Sequence, residues 1–274
     1  MPELAELRLT SDYINKAVYV EGYRPLSFVN IRKNPEHKGQ EIIPPPGYFS
    51  IKAKSRGKEL MLTLSNNIEE KNIRMTMGMS GHFKLTNTMQ EPKHSHLKFF
   101  SNDGVTLSFV DTRRFGKWKE TDAWSENRSP DPTIEFKEFC KNIKDHIDRP
   151  ALKKPICEAL MNQGYFNGIG NYLRAEILYR LPHLNPFTPA HEAIKECPQL
   201  LTLCKEIPLK AYSLGGGQLK DWENPFKTEK ERFEKFILCY NNKQMARVKD
   251  RNGRKFWFDP KWTKSLLFEL YNEA

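Results

Sequence analysis

MNQGYFNGIGNYLRAEILYRL, residues 161–181, decides how the second half of the chain is read. A short helix signal, PICEALMNQ (155–163), leads into it, with Pro155 in the first turn and Gly164 just beyond the end. Gly168 and Gly170 permit close backbone approach, and Asn171 opens a second helix of apolar residues at helical spacing. The pattern predicts helix, tight turn, helix. The positive dipole end at Asn171 suits a phosphate. The same segment would serve equally as a structural corner between two helices.

Working outward, EFKEFCKNIKDHI (135–147) predicts a helix, as do residues 190–212 and 228–240. MARVKD and RKFWFD flank Asn252-Gly253, a strong hairpin signal. Upstream, SENRSPDPT (125–133) is polar and aperiodic with two prolines, and reads as a linker. Before it, GYFSIKAKS, KELMLTL, NIRMTMG, HLKFFS and VTLSFVD read as strands, broken by turn signals such as Asn102-Asp103-Gly104. Strands at that spacing predict a β-sandwich. Residues 2 to about 20 carry Leu4, Leu7, Ile14, Ala17 and Val18 at helical spacing. The expectation is an α+β chain: a catalytic sandwich domain over 1–128, a helical domain over 129–240, and a hairpin finger with the terminal segment over 241–274.

Length and charge narrow the function. The 274 residues hold 44 Lys and Arg against 34 Asp and Glu, a net +10, with a pI near 9.2. A balance this basic points to a polyanion, nucleic acid ahead of a membrane surface. No run is long and apolar enough to cross a bilayer, and Glu3 and Glu6 interrupt the place of a signal peptide. None of the five cysteines forms a CxxC pair, so neither a zinc ribbon nor a disulfide framework is encoded. A reducing, intracellular compartment is expected, the nucleus or wherever the nucleic-acid partner resides.

The chemistry-bearing candidates each have an ordinary alternative. In MPELAEL, removal of Met1 would leave Pro2 with a free secondary amine, a nucleophile able to form an iminium directly. Glu3 and Glu6 lie within reach as acids; proline and early acids also simply suit a first helical turn. Arg254 at the hairpin tip could grip a phosphate with two bonds, or be a solvated charge. In SFVDTRRFGKW, Phe115, directly after Arg113 and Arg114, could wedge a duplex, or belong to the core with the two arginines beside it. Met79 in GMSG is a core filler or a flexible plug. Lys58 in SRGKEL could be an ordinary strand-surface lysine. His94 and His96 alternate along one expected strand face; lacking a third ligand, they are read as structural or solvent-facing.

Taken together and in this order, PELAE, RGKEL, GMSG, DTRRFG, NQxxxNGIGNYLRAEIL and NGRKFWF resemble the Fpg/Nei family of DNA glycosylase/AP lyases over nearly the whole chain. The family's four-cysteine finger is missing, as in the Nei-like group with a zincless finger; a viral source fits the same pattern. The resemblance implies that Pro2 is the nucleophile, that Glu3 assists sugar opening, and that Glu6 is the second acid of the amino-terminal motif. It implies that Lys58 is the phosphate-contacting catalytic lysine and that Asn171 and Arg254 clamp the phosphates beside the lesion. Met79, Arg113 and Phe115 would fill the gap left by an everted base, with Arg114 on the backbone. Hairpin packing alone would have to aim Arg254. Damaged DNA, duplex or single-stranded, would lie in a basic cleft and be cut by a monomer through β,δ-elimination, with no metal or organic cofactor. Oxidised pyrimidines and hydantoins would be preferred over 8-oxoguanine, with residues 213–226 near the flipped base. A damage-binding protein without turnover is the competing reading.

Overall fold

The computed structural model describes residues 2–20, 24–217 and 230–265. The chain begins with α1 (Leu4–Ala17), the short pair β1 (Tyr19–Val20) and β2 (Arg24–Pro25), and β3 (Phe28–Lys33). Next come β4 (Ser50–Arg56), β5 (Glu59–Ser65), β6 (Glu70–Thr76), β7 (His82–Asn87), β8 (Ser95–Ser101), β9 (Val105–Val110) and β10 (Lys117–Glu120). Eight of these strands make two four-stranded antiparallel sheets, ordered β10-β6-β5-β4 and β3-β8-β9-β7. Each sheet turns one side inward, where Leu60, Leu62, Leu64 and Ile73 of one meet Phe83, Phe99, Leu107 and Phe109 of the other.

The strands β3, β7 and β10 were not legible as strands. A bulge between Phe28 and Asn30 breaks the alternation of β3, and β10 is only four residues long. A second bulge, between Ser95 and Leu97, sits in β8. It corrects the reading of the two histidines. His94 precedes the strand in the left-handed region (φ 63°), so it does not share a strand face with the bulged His96.

The helix α1 is fastened to both sheets. Asn15 pairs with the backbone of Ala53 at 2.9 and 2.8 Å, and Ser11 donates to the same carbonyl. These bonds cap the outer edge of β4, which would otherwise expose unpaired backbone groups. On the other sheet Leu85 N–H donates to the Tyr13 hydroxyl at 2.9 Å. The start of the chain is thereby set against a rigid frame.

The second unit holds α2 (Phe136–Asp145), α3 (Ile156–Ala159), α4 (Asn171–Tyr179), α5 (Ala190–Glu196), α6 (Gln199–Ser213) and α7 (Lys230–Phe236), then the hairpin of β11 (Ala246–Lys249) and β12 (Lys255–Phe258). The single helix expected over 190–212 is two. Cys197 precedes Pro198 and leaves the helical region (φ −131°, ψ 78°), since the proline ring disfavours that region for the residue before it. The helix expected over 155–163 covers only Ile156–Ala159 before tightening into turns. The last helix expected over 228–240 ends at Phe236, and residues 228–229 lie outside the described residues.

Among the described residues, 127–214 and 230–265 form this unit, whereas those up to Glu126 form the sandwich unit together with Gly215–Gly217.

Candidate functional site

In the sandwich unit the amino-terminal motif folds onto itself. Pro2, Glu3 and Glu6 are all buried. Glu3 is the N-cap of α1, and with Glu6 it makes a capping box. The Glu6 carboxylate accepts the Glu3 N–H at 2.9 Å through one oxygen and the Gly217 N–H at 2.7 Å through the other. One buried carboxylate therefore fixes the peptide plane joining Pro2 to Glu3, and with it the direction of the proline ring. It also anchors the segment expected near the displaced base. That segment, 213–226, is described only as far as Gly217. Gly216 lies against Glu6 with φ +65°, and a Cβ there would sit 2.8 Å from the carboxylate oxygen, so only glycine fits. Lys58 sits at the tip of the β4–β5 hairpin. Gly57 supplies the positive φ (57°) that a two-residue turn needs there.

Two further turns of the same unit are built as one piece. Met79 and Phe115 are large apolar side chains left 41% and 52% exposed, and the Arg113 guanidinium lies 4.9 Å from the Phe115 ring centre. All three expected gap-filling residues thus stand on neighbouring turns. The joint is Asp111, which is fully buried. Its carboxylate accepts from the Ser80 hydroxyl, from Arg113 N–H at 3.2 Å and from Gly116 N–H at 2.7 Å. The turns touch so closely that a Cβ on Gly78 would lie 2.7 Å from Gly116 N. Arg114, left-handed at φ 55°, points instead to Glu36 in an exposed ion pair of 3.1 Å. Such a pair is worth about 0–1 kcal/mol and leaves the arginine available.

Behind Asp111 lie His96 and His37. The His96 Nε2–H donates to the Asp111 carbonyl at 2.9 Å, and its Nδ1 accepts from Asn34 at 3.3 Å. His37 stacks on Trp118 with ring centres 4.3 Å apart. Burial is the largest cause holding both imidazoles below their ordinary pKa. The sign is then fixed. The folded pKa values lie below the unfolded value of about 6.5, so this stabilisation is complete above that pH and is lost as pH falls through the folded values. Thermal melts should show the sandwich unit losing stability on acidification below pH ~6.5. His96→Asn/His37→Asn should flatten that dependence; an unchanged pH profile would mean other groups set it.

In the second unit the NQxxxN motif staples the tight turn. Gln163 accepts the Gly168 N–H at 2.9 Å and donates to the Ile169 carbonyl at 2.9 Å. Asn167 donates to the Ser129 carbonyl at 2.9 Å. Gly168 takes φ 93°, outside the range of ordinary residues. Asn171 is thereby placed at the start of α4, and its side chain donates to the Lys255 carbonyl at 2.9 Å. The structure thus brings Asn171 beside the hairpin that carries Arg254. Arg254 itself is exposed at the end of the Asp250–Arg254 loop. The loop is not the two-residue turn that Asn252-Gly253 suggests: Gly253 N–H donates to Asp250 C=O at 2.8 Å and Asp250 N–H to Arg254 C=O at 2.9 Å. With Gly253 left-handed (φ 74°), this is a turn closed by a glycine bulge.

Sequence reading missed the buried charges of α4. Residues 172–178 are all buried, which requires Arg174 and Glu176 to be paired. Arg174 meets Asp250 at 2.8 Å, with exposures of 0% and 2%. Glu176 collects the N–H groups of Leu238, Cys239 and Tyr240 at 3.0, 2.8 and 2.8 Å and pairs with Arg180. Removing one member of a buried pair of this kind costs roughly 3–5 kcal/mol. The signal was present as two charges inside the apolar string YLRAEIL. Among the described residues no three His, Cys, Asp or Glu side chains converge on a metal-sized site.

Comparison with known proteins converges on one group. The formamidopyrimidine-DNA glycosylase N-terminal domain matches residues 1–118, and the Endonuclease VIII-like 1 DNA-binding domain matches 231–261. Endonuclease 8-like 1 of Mus musculus is 35% identical, the alignment covering 94% of this chain and 72% of that protein; the Homo sapiens protein is 34% identical over the same shares. A formamidopyrimidine-DNA glycosylase of Wolbachia is 28% identical, over 82% of this chain and 83% of its own. Among solved structures, the MutM (Fpg) protein from Thermus thermophilus shares the fold with a TM-score of 0.76 at 22% identity, covering 96% of this chain and 99% of that one. Lactococcus lactis Fpg, solved with DNA containing an abasic site, has a TM-score of 0.73 at 21% identity, covering 95% and 98%.

Proposed function

From the membership of this chain in the Fpg/Nei family of DNA glycosylases, we infer the chemistry of its amino-terminal site. The protein is a bifunctional DNA glycosylase/AP lyase of base excision repair and binds DNA. The observation that carries the assignment of residues is the double engagement of Glu6, which holds the peptide after Pro2 and the Gly217 backbone at once.

With Met1 removed, the Pro2 nitrogen attacks C1′ of the damaged nucleotide and the glycosidic bond breaks, releasing the base. Glu3 delivers a proton to the sugar ring oxygen as the ring opens to the iminium. The iminium withdraws electrons from C2′, so a 2′ proton leaves and the 3′ C–O bond breaks. A second elimination, with loss of the 4′ proton, breaks the 5′ C–O bond and expels the 5′ phosphate, and water then hydrolyses the remaining iminium, releasing the sugar fragment and restoring the Pro2 amine. Lys58 assists at the phosphate, and a one-nucleotide gap with phosphate at both ends results. The target base must first leave the stack; Met79, Arg113 and Phe115 occupy the space it vacates. Asn171 and Arg254 grip the backbone phosphates, with Arg114 adding a further contact. The enzyme acts as a monomer wherever its DNA lies. Oxidised pyrimidines and hydantoins are the substrates.

The test is the identity of the ends left on a duplex with one abasic site, measured in EDTA. Phosphate at both ends is expected. An unsaturated aldehyde at the 3′ end would remove the second elimination, and an uncut strand would remove the lyase.

A further inference from the structure

We propose that the Arg174–Asp250 pair aims the phosphate-gripping groups of the second unit, so that Arg174 is a positioning residue for DNA binding although its side chain is fully buried. The proposal rests on the reading of Asn171 and Arg254 as phosphate contacts.

The hairpin cannot orient its own tip. Its strands are four residues each, and an isolated two-stranded hairpin is marginal in water. Phe256, Trp257 and Phe258 bury its base, but Arg251 through Lys255 are all exposed. Asp250 is the loop residue whose side chain turns inward, 2% exposed. Its two carboxylate oxygens do different things. Oδ1 accepts the N–H groups of Asn252 and Arg254 at 3.0 and 2.9 Å, fixing the backbone that carries the Arg254 side chain. Oδ2 meets Arg174 at 2.8 Å.

The guanidinium then reaches the other grip. Its second amino group donates to Asn171 Oδ1 at 2.6 Å, while the first also donates to the Cys157 carbonyl at 2.9 Å. The fork lies 5.0 Å from the Phe256 ring centre, and Nε has no hydrogen-bond partner among the described residues. A guanidinium is planar, so the directions of its two amino groups are fixed relative to one another. An unbroken path therefore runs Asn171, Arg174, Asp250, Arg254 N–H. Turning the hairpin tip relative to α4 breaks it at a buried charge. This supplies the aiming that hairpin packing alone was expected to provide.

The experiment measures equilibrium binding to a duplex carrying a tetrahydrofuran abasic analogue, across a salt series. Arg254→Ala is compared in two backgrounds: the natural chain and Arg174→Met/Asp250→Leu, which replaces the ion pair by apolar side chains and is checked by thermal melting. In the natural chain Arg254→Ala should flatten the log–log salt slope by about one unit. In the apolar-pair background the slope should already be flattened, and Arg254→Ala should add nothing. If the second background does not fold, Asp250→Asn replaces it: the shape and the Oδ1 acceptor remain while the charge is gone. A full Arg254→Ala effect in a folded background lacking the pair would overturn the positioning role and leave the phosphate reading intact. No effect of Arg254→Ala in the natural chain would overturn both.

Discussion

Keeping Met1 on the chain should abolish base excision outright while DNA binding survives. With Met1 in place the Pro2 nitrogen is an amide whose lone pair is delocalised into the carbonyl, so it cannot attack C1′. Pro2→Gly should lose most excision activity, because a primary amine replaces the ring-constrained secondary one. Glu3→Gln should slow the reaction by about 10²–10⁴-fold, the range lost with a general acid. Glu6→Gln should act differently. Glu6 accepts two N–H groups through two oxygens at 2.9 and 2.7 Å, and an amide can accept through only one. The variant should therefore misplace Pro2 and the Gly217 segment together, lowering excision without removing the nucleophile. Single-turnover excision with each variant, alongside binding to an uncleavable duplex, checks all four. Normal excision by a chain retaining Met1 would place the nucleophile elsewhere.

The second large effect is selective. Met79→Ala/Phe115→Ala should slow excision of a lesion paired within a duplex by roughly 10- to 100-fold, equivalent to about 1.4–2.7 kcal/mol. Cleavage at an abasic site in a mismatch or single strand should be nearly normal, because no base resists leaving the stack there. Asp111→Asn should reproduce part of this effect from beneath the surface. Its carboxylate joins the Ser80, Arg113 and Gly116 donors, and an amide group in its place turns one acceptor into a donor facing donors. Equal losses on both substrates would assign these side chains to the fold. No loss on either would give the gap-filling to another group.

Much of this arrangement could be read from the chain. The strands predicted from KELMLTL and VTLSFVD lie at β5 and β9, since each runs apolar through the interior of a sandwich. The helix opening at Asn171 and the finger strands were equally plain, because turn chemistry is local. What escaped was long-range. Asp111 ends a strand and looks like any turn aspartate until Ser80, 31 positions away, donates to it. The bulge that re-aims His96 leaves no mark in the alternation of SHLKFFS. The partner of Arg174 is Asp250, 76 positions on. Buried charges announce that partners exist, but spacing cannot name them.

The most direct measurement is borohydride reduction during turnover on a damaged duplex, followed by peptide mapping of the trapped complex. A Pro2 iminium should be reduced to a stable amine, placing the sugar adduct on the amino-terminal peptide at the Pro2 nitrogen. An adduct on Lys58 or any other lysine, with a wild-type yield of trapped complex, would contradict the mechanism at its centre.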